Sequence, residues 1–104
     1  MNKKTTTPKF DTILYFNCIK KIMQEVRKNK IDYIRIYSEP RKNGYRTKLF
    51  GCNIDNLEKI RKIVKKLYPN TFDINKSPAK KCMGYYIPGA IVIVPKNVTT
   101  FISK

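Results

Sequence analysis

Histidine and tryptophan are absent from this 104-residue chain, and acidic residues are scarce, with seven Asp and Glu against 23 Lys and Arg. Without histidine, neither a Ser–His nor a Cys–His catalytic arrangement can form. A zinc site would need all three cysteines and a carboxylate, which is an uncommon set of ligands. The four glycines stand alone, so there is no Gly-rich phosphate loop. We therefore expect no metal, no cofactor and no enzymatic activity.

The few carboxylates leave one catalytic alternative. Three of the seven are explained by helix capping, and no pair has the spacing of a recognisable metal or glycosidase site. This alternative is a metal-dependent nuclease whose site lies on a sheet surface and uses Glu39 with Asp32 or Asp73. No positive feature of the sequence supports that alternative.

Long apolar runs are also absent, since no stretch reaches the ~18 residues that a membrane-spanning helix needs. Residues 1–9 contain lysines, but no apolar region follows them as it would in a secretory signal. We expect residues 1–10 to be a flexible basic tail before a single domain at 11–104. The three cysteines are odd in number and widely spaced, which indicates reduced, structural thiols. The prediction is a cytoplasmic protein that does not contact a membrane.

Positive charge is what the chain has in excess, with a formal net charge of +16 at pH 7. An AT-rich coding sequence would explain abundant lysine, but it would not explain the deficit of acidic residues. So large a charge on one small domain opposes compaction by self-repulsion. A polyanion would relieve that repulsion, and nucleic acid is the first candidate, ahead of an anionic membrane and an acidic protein surface.

A first amphipathic helix is predicted to begin after Asp11, which is a good N-cap. Phe10 and Tyr15 stand in the positions of a hydrophobic staple around that cap. The helix is predicted to end near Asn29. Its apolar stripe recurs at helical spacing through Tyr15, Ile19, Ile22 and Val26.

A second amphipathic helix is predicted from Asp55, which resembles a capping box together with Glu58. Pro69 ends it. Its apolar stripe is formed by Leu57, Ile60, Ile63, Val64, Leu67 and Tyr68. Cations gather on the opposite side at Lys59, Lys62, Lys65 and Lys66, and the simplest interpretation is a solvated face.

A β-hairpin is predicted between the helices, because residues 31–37 and 45–52 flank the turn dipeptide Asn43-Gly44. Later segments are predicted as strands at 71–75, 83–87 and 90–94, as a basic loop at 76–82 and as a candidate edge strand at 98–103. Pro88-Gly89 is predicted as a loose connection. The order α-β-β-α-β-β then predicts a two-layer α+β domain, with both amphipathic helices on one face of an antiparallel sheet.

Alternation along the first hairpin predicts an aromatic and cationic surface. In a strand, alternate residues share a face, which places Tyr33, Arg35 and Tyr37 together and Arg46 with Lys48. Aromatic rings can stack on bases and cations can pair with phosphates. The alternative is a structural role, in which the tyrosines are present because tyrosine favours β-strands and they pack under another layer.

We therefore predict a small basic protein that binds nucleic acid, DNA or RNA, through this face and one of two lysine-rich flanks. The predicted contact residues are Tyr33, Arg35, Tyr37, Arg41, Lys42, Arg46, Lys48, Lys59, Lys62, Lys66, Lys80 and Lys81. The alternative is a non-enzymatic protein-interaction factor, such as a virion or assembly component or an inhibitor of a nucleic-acid-processing enzyme. In that case the tyrosine face would be a protein hot spot. Short, basic, AT-biased chains of this kind are typical of phages, viruses and other mobile elements.

Overall fold

The structure is a computed structural model that describes residues 10–42, 44–51 and 53–102. Its elements are α1 (Thr12–Lys28), β1 (Arg35–Arg41), β2 (Gly44–Phe50), α2 (Ile54–Leu67), β3 (Phe72–Ser77), β4 (Lys80–Cys82), β5 (Tyr85–Ile87), β6 (Ala90–Pro95) and a 3-10 helix (Val98–Phe101). Four strands form one antiparallel sheet in the order β1-β2-β6-β3, and β4 and β5 form a separate two-stranded ribbon. The two helices pack on the four-stranded sheet, which confirms the predicted two-layer α+β fold.

Helix α1 forms where the sequence predicts it. The Asp11 side chain accepts a hydrogen bond from the backbone N–H of Leu14 at 2.9 Å, and Asn29 is the C-cap. The rings of Phe10 and Tyr15 lie 5.7 Å apart between centroids, so the predicted staple is present. Residues 1–9 of the predicted tail lie outside the described residues, whereas residue 10 packs against the core.

The core is organised around Tyr15, whose side chain is fully buried. Five aromatic rings have centroids between 5.3 and 6.1 Å from the Tyr15 ring, namely those of Phe10, Phe16, Tyr45, Phe72 and Phe101. The Tyr15 hydroxyl shares a hydrogen bond of 2.6 Å with Thr47 Oγ1, which is also 2.8 Å from Ser38 Oγ. Burial raises the pKa of Tyr15 to about 12, because the phenolate form would be stripped of water.

This raised pKa predicts a loss of stability at alkaline pH. Tyr15 has a pKa of about 12 in the folded state against an ordinary 10.0. The stability that depends on a protonated Tyr15 is therefore fully present below pH 10 and is lost as the pH rises towards 12. Each unit of pKa difference corresponds to about 1.4 kcal/mol. Tyr15→Phe should therefore be less stable than wild type by about 1 kcal/mol at neutral pH, where it lacks the hydrogen bond, but should not show the part of the alkaline loss that Tyr15 causes.

Urea unfolding of both proteins at about pH 8, 10 and 11 measures this difference in the free energy of unfolding. We expect the wild-type advantage to shrink or reverse as the pH rises. A difference that stays constant across the series would contradict the prediction. Tyr85→Phe, which removes the hydroxyl of an exposed tyrosine, is the matched control.

Helix α2 begins two residues earlier than predicted, because Asn53 and not Asp55 is the N-cap. The Asn53 side chain accepts a backbone N–H of the first turn at 2.8 Å, and Asn caps helices as well as Asp does. Asp55 then lies inside the first turn, where its charge interacts favourably with the helix dipole. Glu58 does not complete a capping box but forms an ion pair with Lys76. The helix ends before Pro69, as predicted.

The first hairpin is displaced along the chain from its predicted position. Strand β1 covers Arg35–Arg41 rather than 31–37, and it pairs with β2 along its whole length. Pro40 lies within β1 and not in the turn, which is tolerated because β1 is an edge strand. The connection consists of residues 42 and 43, the second of which lies outside the described residues.

Residues 72–95 form one long hairpin with a break in it. The ladder of β3 and β6 ends at the pair Ser77 and Ala90. After two unpaired residues on each strand, pairing resumes at Lys80 and Ile87, where β4 meets β5. The predicted basic loop therefore contains a strand, and β5 pairs with β4 rather than with β6.

The turn of this hairpin lies at Met83-Gly84. Pro88-Gly89 does connect two strands, as predicted, but it joins β5 to β6 without reversing the chain. Met83 and Gly84 have φ angles of 52° and 82°, and positive φ at both central residues is the property of a type I′ hairpin turn. Pro88-Gly89 lies in the break between the two ladders, opposite Pro78. A proline has no N–H to donate to a ladder, which explains why pairing stops there.

The predicted edge strand at 98–103 was wrong for residues 98–102, and residue 103 lies outside the described residues. Val98–Phe101 forms a 3-10 helix, and Phe101 is buried in the core. The Phe101 carbonyl accepts the backbone N–H of Asp11, and Ile102 forms an isolated bridge with Phe10. Contacts with the aromatic core therefore prevail over the strand propensity of this segment.

Candidate nucleic-acid interface

One face of the four-stranded sheet points away from the helices. Thr47 and Leu49 of β2 are buried towards the helices, so their neighbours along the strand point to the other side. Residues of β1 that are paired with these neighbours lie on the same side of the sheet. We call it the outer face and define it by Arg35, Tyr37, Glu39, Arg46, Lys48 and Phe50. Four residues of the predicted site thus share one face, and Tyr37 lies directly opposite Lys48.

The aromatic residues of the outer face stack on each other. The rings of Tyr37 and Phe50 have centroids 6.0 Å apart and an interplanar angle of 21°. The guanidinium carbon of Arg35 lies 5.3 Å from the Tyr37 centroid and 5.4 Å from the Phe50 centroid. This is a cation–π arrangement, and it uses ring surface that the sequence prediction assigned to bases. The exposed stacking group is therefore the guanidinium of Arg35, a planar group on which bases also stack.

An ion pair neutralises part of the charge on this face. The Glu39 carboxylate accepts a hydrogen bond from Arg46 Nε. This bond holds the pKa of Glu39 below its usual value. Arg35 and Lys48 therefore supply the cations of the outer face that form no ion pair with a described carboxylate.

The predicted residues at the ends of β1 differ in their surroundings. Tyr33 precedes β1 and is half-buried against the core, so it does not share the outer face with Arg35. The displaced register of the hairpin is the reason. Arg41 ends the strand and Lys42 begins the turn, and both are exposed.

The lysines of α2 lie on the opposite side of the molecule. Lys59, Lys62 and Lys66 are exposed and line a groove with Lys28 and Lys30 at the end of α1. Because α2 buries its apolar stripe against the sheet, this groove faces away from the outer face.

The remaining predicted lysines lie on the ribbon of β4 and β5, which we call the arm and define as residues 80–87. Lys80 and Lys81 are exposed, and so are three large side chains that the sequence prediction missed: Met83, Tyr85 and Tyr86 are 91%, 75% and 66% exposed. The positive charge of this surface was visible in the sequence, since no acidic residue follows Asp73, but the exposure of the three large side chains was not.

A cavity of about 280 Å³ lies at the base of the arm. Its lining is mainly apolar and includes Leu57, Ala79 and Tyr86, and the ion pair of Glu58 with Lys76 forms its polar wall. This volume is at the low end for ligand pockets. Among the described residues, no group of His, Cys, Asp or Glu is placed to hold a metal ion.

Two cysteines are described, and neither forms a disulfide: Cys18 is buried in α1 and Cys82 is exposed on the arm. The described helices include none that is long and apolar enough to cross a membrane. Comparison with known proteins gives no relative, since no protein family, curated protein or solved structure matches the chain.

Proposed function

We propose that the protein binds nucleic acid and that the outer face is its main contact surface. The observation that carries the proposal is the juxtaposition of Arg35, Tyr37 and Lys48 on one exposed sheet face. The planar guanidinium of Arg35 and the ring of Tyr37 suit a base, and the flexible ammonium group of Lys48 suits a phosphate.

The distribution of charge supports a polyanionic partner. The net charge is +16. Among the described residues, the ion pairs of carboxylates are those of Glu39 with Arg46 and of Glu58 with Arg61 and Lys76. Cations that displace condensed counterions from phosphates add affinity that depends strongly on salt. The same mechanism gives fast association with a polyanion.

A protein-interaction role is the second candidate, and a separate surface favours it. Ile13, Leu14 and Phe16 on the first turns of α1 are 76%, 42% and 37% exposed. Apolar side chains grouped on a surface are typical of protein contacts. Binding through this patch would depend little on salt, which distinguishes it from contact with phosphates.

Fluorescence anisotropy with labelled single-stranded DNA, duplex DNA and RNA tests the proposal across about 50–300 mM salt. We expect a linear fall of log affinity with log salt, with a slope of several counterions. Poly-glutamate serves as a competitor with charge but without bases, and it should displace the nucleic acid only at a large excess. Absence of binding to every nucleic acid at the lowest salt would refute the proposal.

A further inference from the structure

We propose that the arm enters the major groove of B-form duplex DNA. This assignment of the partner rests on the proposed nucleic-acid binding and goes beyond it. It concerns a different surface from the outer face, and it names the form of nucleic acid that the protein prefers.

The arm is a two-stranded ribbon that is open on both faces beyond its base, where Tyr86 lines the cavity next to α2. Every residue from 80 to 86 is exposed. An isolated two-stranded hairpin is only marginally stable in water. A ribbon that carries its side chains into solvent on both faces is therefore well suited to contact a partner on both faces.

The pairing of the arm distributes cations and aromatic rings over these two faces. Lys81 is paired with Tyr86, so both lie on one face. Lys80 and Tyr85 lie on the other face, together with Cys82. Each face thus has an ammonium group for a phosphate and a phenol for a base edge, and the arm contains no carboxylate to oppose them.

The dimensions of the ribbon select the form of nucleic acid. Its two strands lie about 4.8 Å apart, and the major groove of B-form DNA, about 12 Å wide, admits a two-stranded ribbon. The minor groove is about 6 Å wide. The major groove of A-form RNA is deep and narrow and excludes side chains, and its wide minor groove is too shallow to enclose a ribbon on both faces. Of these grooves, only the B-form major groove accepts a ribbon with side chains on both faces.

The arm leaves the sheet next to the outer face. Arg35 is paired with Phe50, Phe50 with Ala90 and Ala90 with Ser77, which form one row across the sheet. The arm begins three residues beyond that row on each strand. A duplex whose backbone runs along Arg35 can therefore present its groove to Lys80 and Lys81.

The test compares Lys80→Gln/Lys81→Gln with Lys20→Gln/Lys21→Gln, which removes the same charge from an exposed site on α1. The probes are a duplex DNA, the duplex RNA of the same sequence and the single-stranded DNA. We expect the arm variant to lose roughly tenfold or more of its affinity for duplex DNA relative to the control. On the other two probes the two variants should bind alike.

Blocking each groove separately tests the placement of the arm. Glucosylated 5-hydroxymethylcytosine fills the major groove of the duplex and should weaken wild-type binding, whereas distamycin in the minor groove should leave it unchanged. Tyr85→Ser/Tyr86→Ser is a second variant that keeps the charge, and it should reproduce the loss on duplex DNA. Circular dichroism and thermal unfolding verify that each variant is folded.

The outcomes separate this inference from the proposed function. If wild type binds none of the probes, the proposed function fails and the inference fails with it. If wild type binds duplex DNA but the arm variants match the control, only the role of the arm is refuted. Equal losses on all three probes, or greater sensitivity to distamycin than to the glucosylated duplex, would refute the assignment to the major groove.

Discussion

Tyr15→Ala is expected to lower the free energy of unfolding by about 3–5 kcal/mol, which is the usual cost of truncating a buried aromatic residue. The Tyr15 ring is fully buried among five other aromatic rings that come from both termini, α1 and the sheet. Its removal leaves a cavity and also deprives Thr47 Oγ1 of one of its two hydroxyl partners. Urea unfolding at neutral pH measures the loss.

The neighbouring Phe16→Ala is the matched control for this prediction. It truncates an aromatic residue on the same helix, but the Phe16 side chain is 37% exposed. The expected cost is therefore less than half that of Tyr15→Ala, because less apolar area leaves the core. Equal costs at the two positions would show that Tyr15 is not the centre of the core.

Arg35→Gln/Lys48→Gln is expected to reduce nucleic-acid affinity by roughly 10–100-fold at about 0.1 M salt and to lower the salt slope by nearly two counterions. These residues supply the unpaired cations of the outer face. Neither is buried, so the fold should be unaffected. The measurement is the same anisotropy titration across a salt series.

Lys59→Gln/Lys62→Gln is the matched control, since it removes equal charge from the helical side of the molecule. We expect this variant to lose only a little nucleic-acid affinity, through the long-range effect of a lower net charge. A salt slope that falls as much for the helical pair as for the outer-face pair would place phosphate contacts on α2 as well. A slope that falls for the helical pair alone would refute the outer face as the contact surface.

The helices were predictable because their signals are local. The cap at Asp11, the staple of Phe10 and Tyr15 and the stop at Pro69 all act within about one helical turn of the residues they order. Even the error at Asn53 displaced the start of α2 by only two residues. The alternation in β2 likewise placed Arg46 and Lys48 on one face, as observed.

The strand pairings were less predictable because they depend on residues distant in the chain. The edge position that allows Pro40 in β1 is a property of the whole sheet. The turn at Met83-Gly84 lacks the Asn or Asp that commonly marks a type I′ turn. Pro88-Gly89 carries a turn signal, but it lies in the break between the two ladders. The burial of Tyr33 and the exposure of Tyr86 follow from these pairings.

The sequence by itself determined the class of protein: a charge of +16 without histidine, two amphipathic helices and strands of mixed aromatic and cationic character. Composition and short-range periodicity carry that information, because neither depends on how distant segments meet. Only the tertiary structure decided which groups are free to bind. It covered the ring stack of Tyr37 with Arg35, paired Glu39 with Arg46 and left the arm open on both faces. Exposure and ion pairing are set by the packing of segments far apart in the chain, which local patterns do not encode.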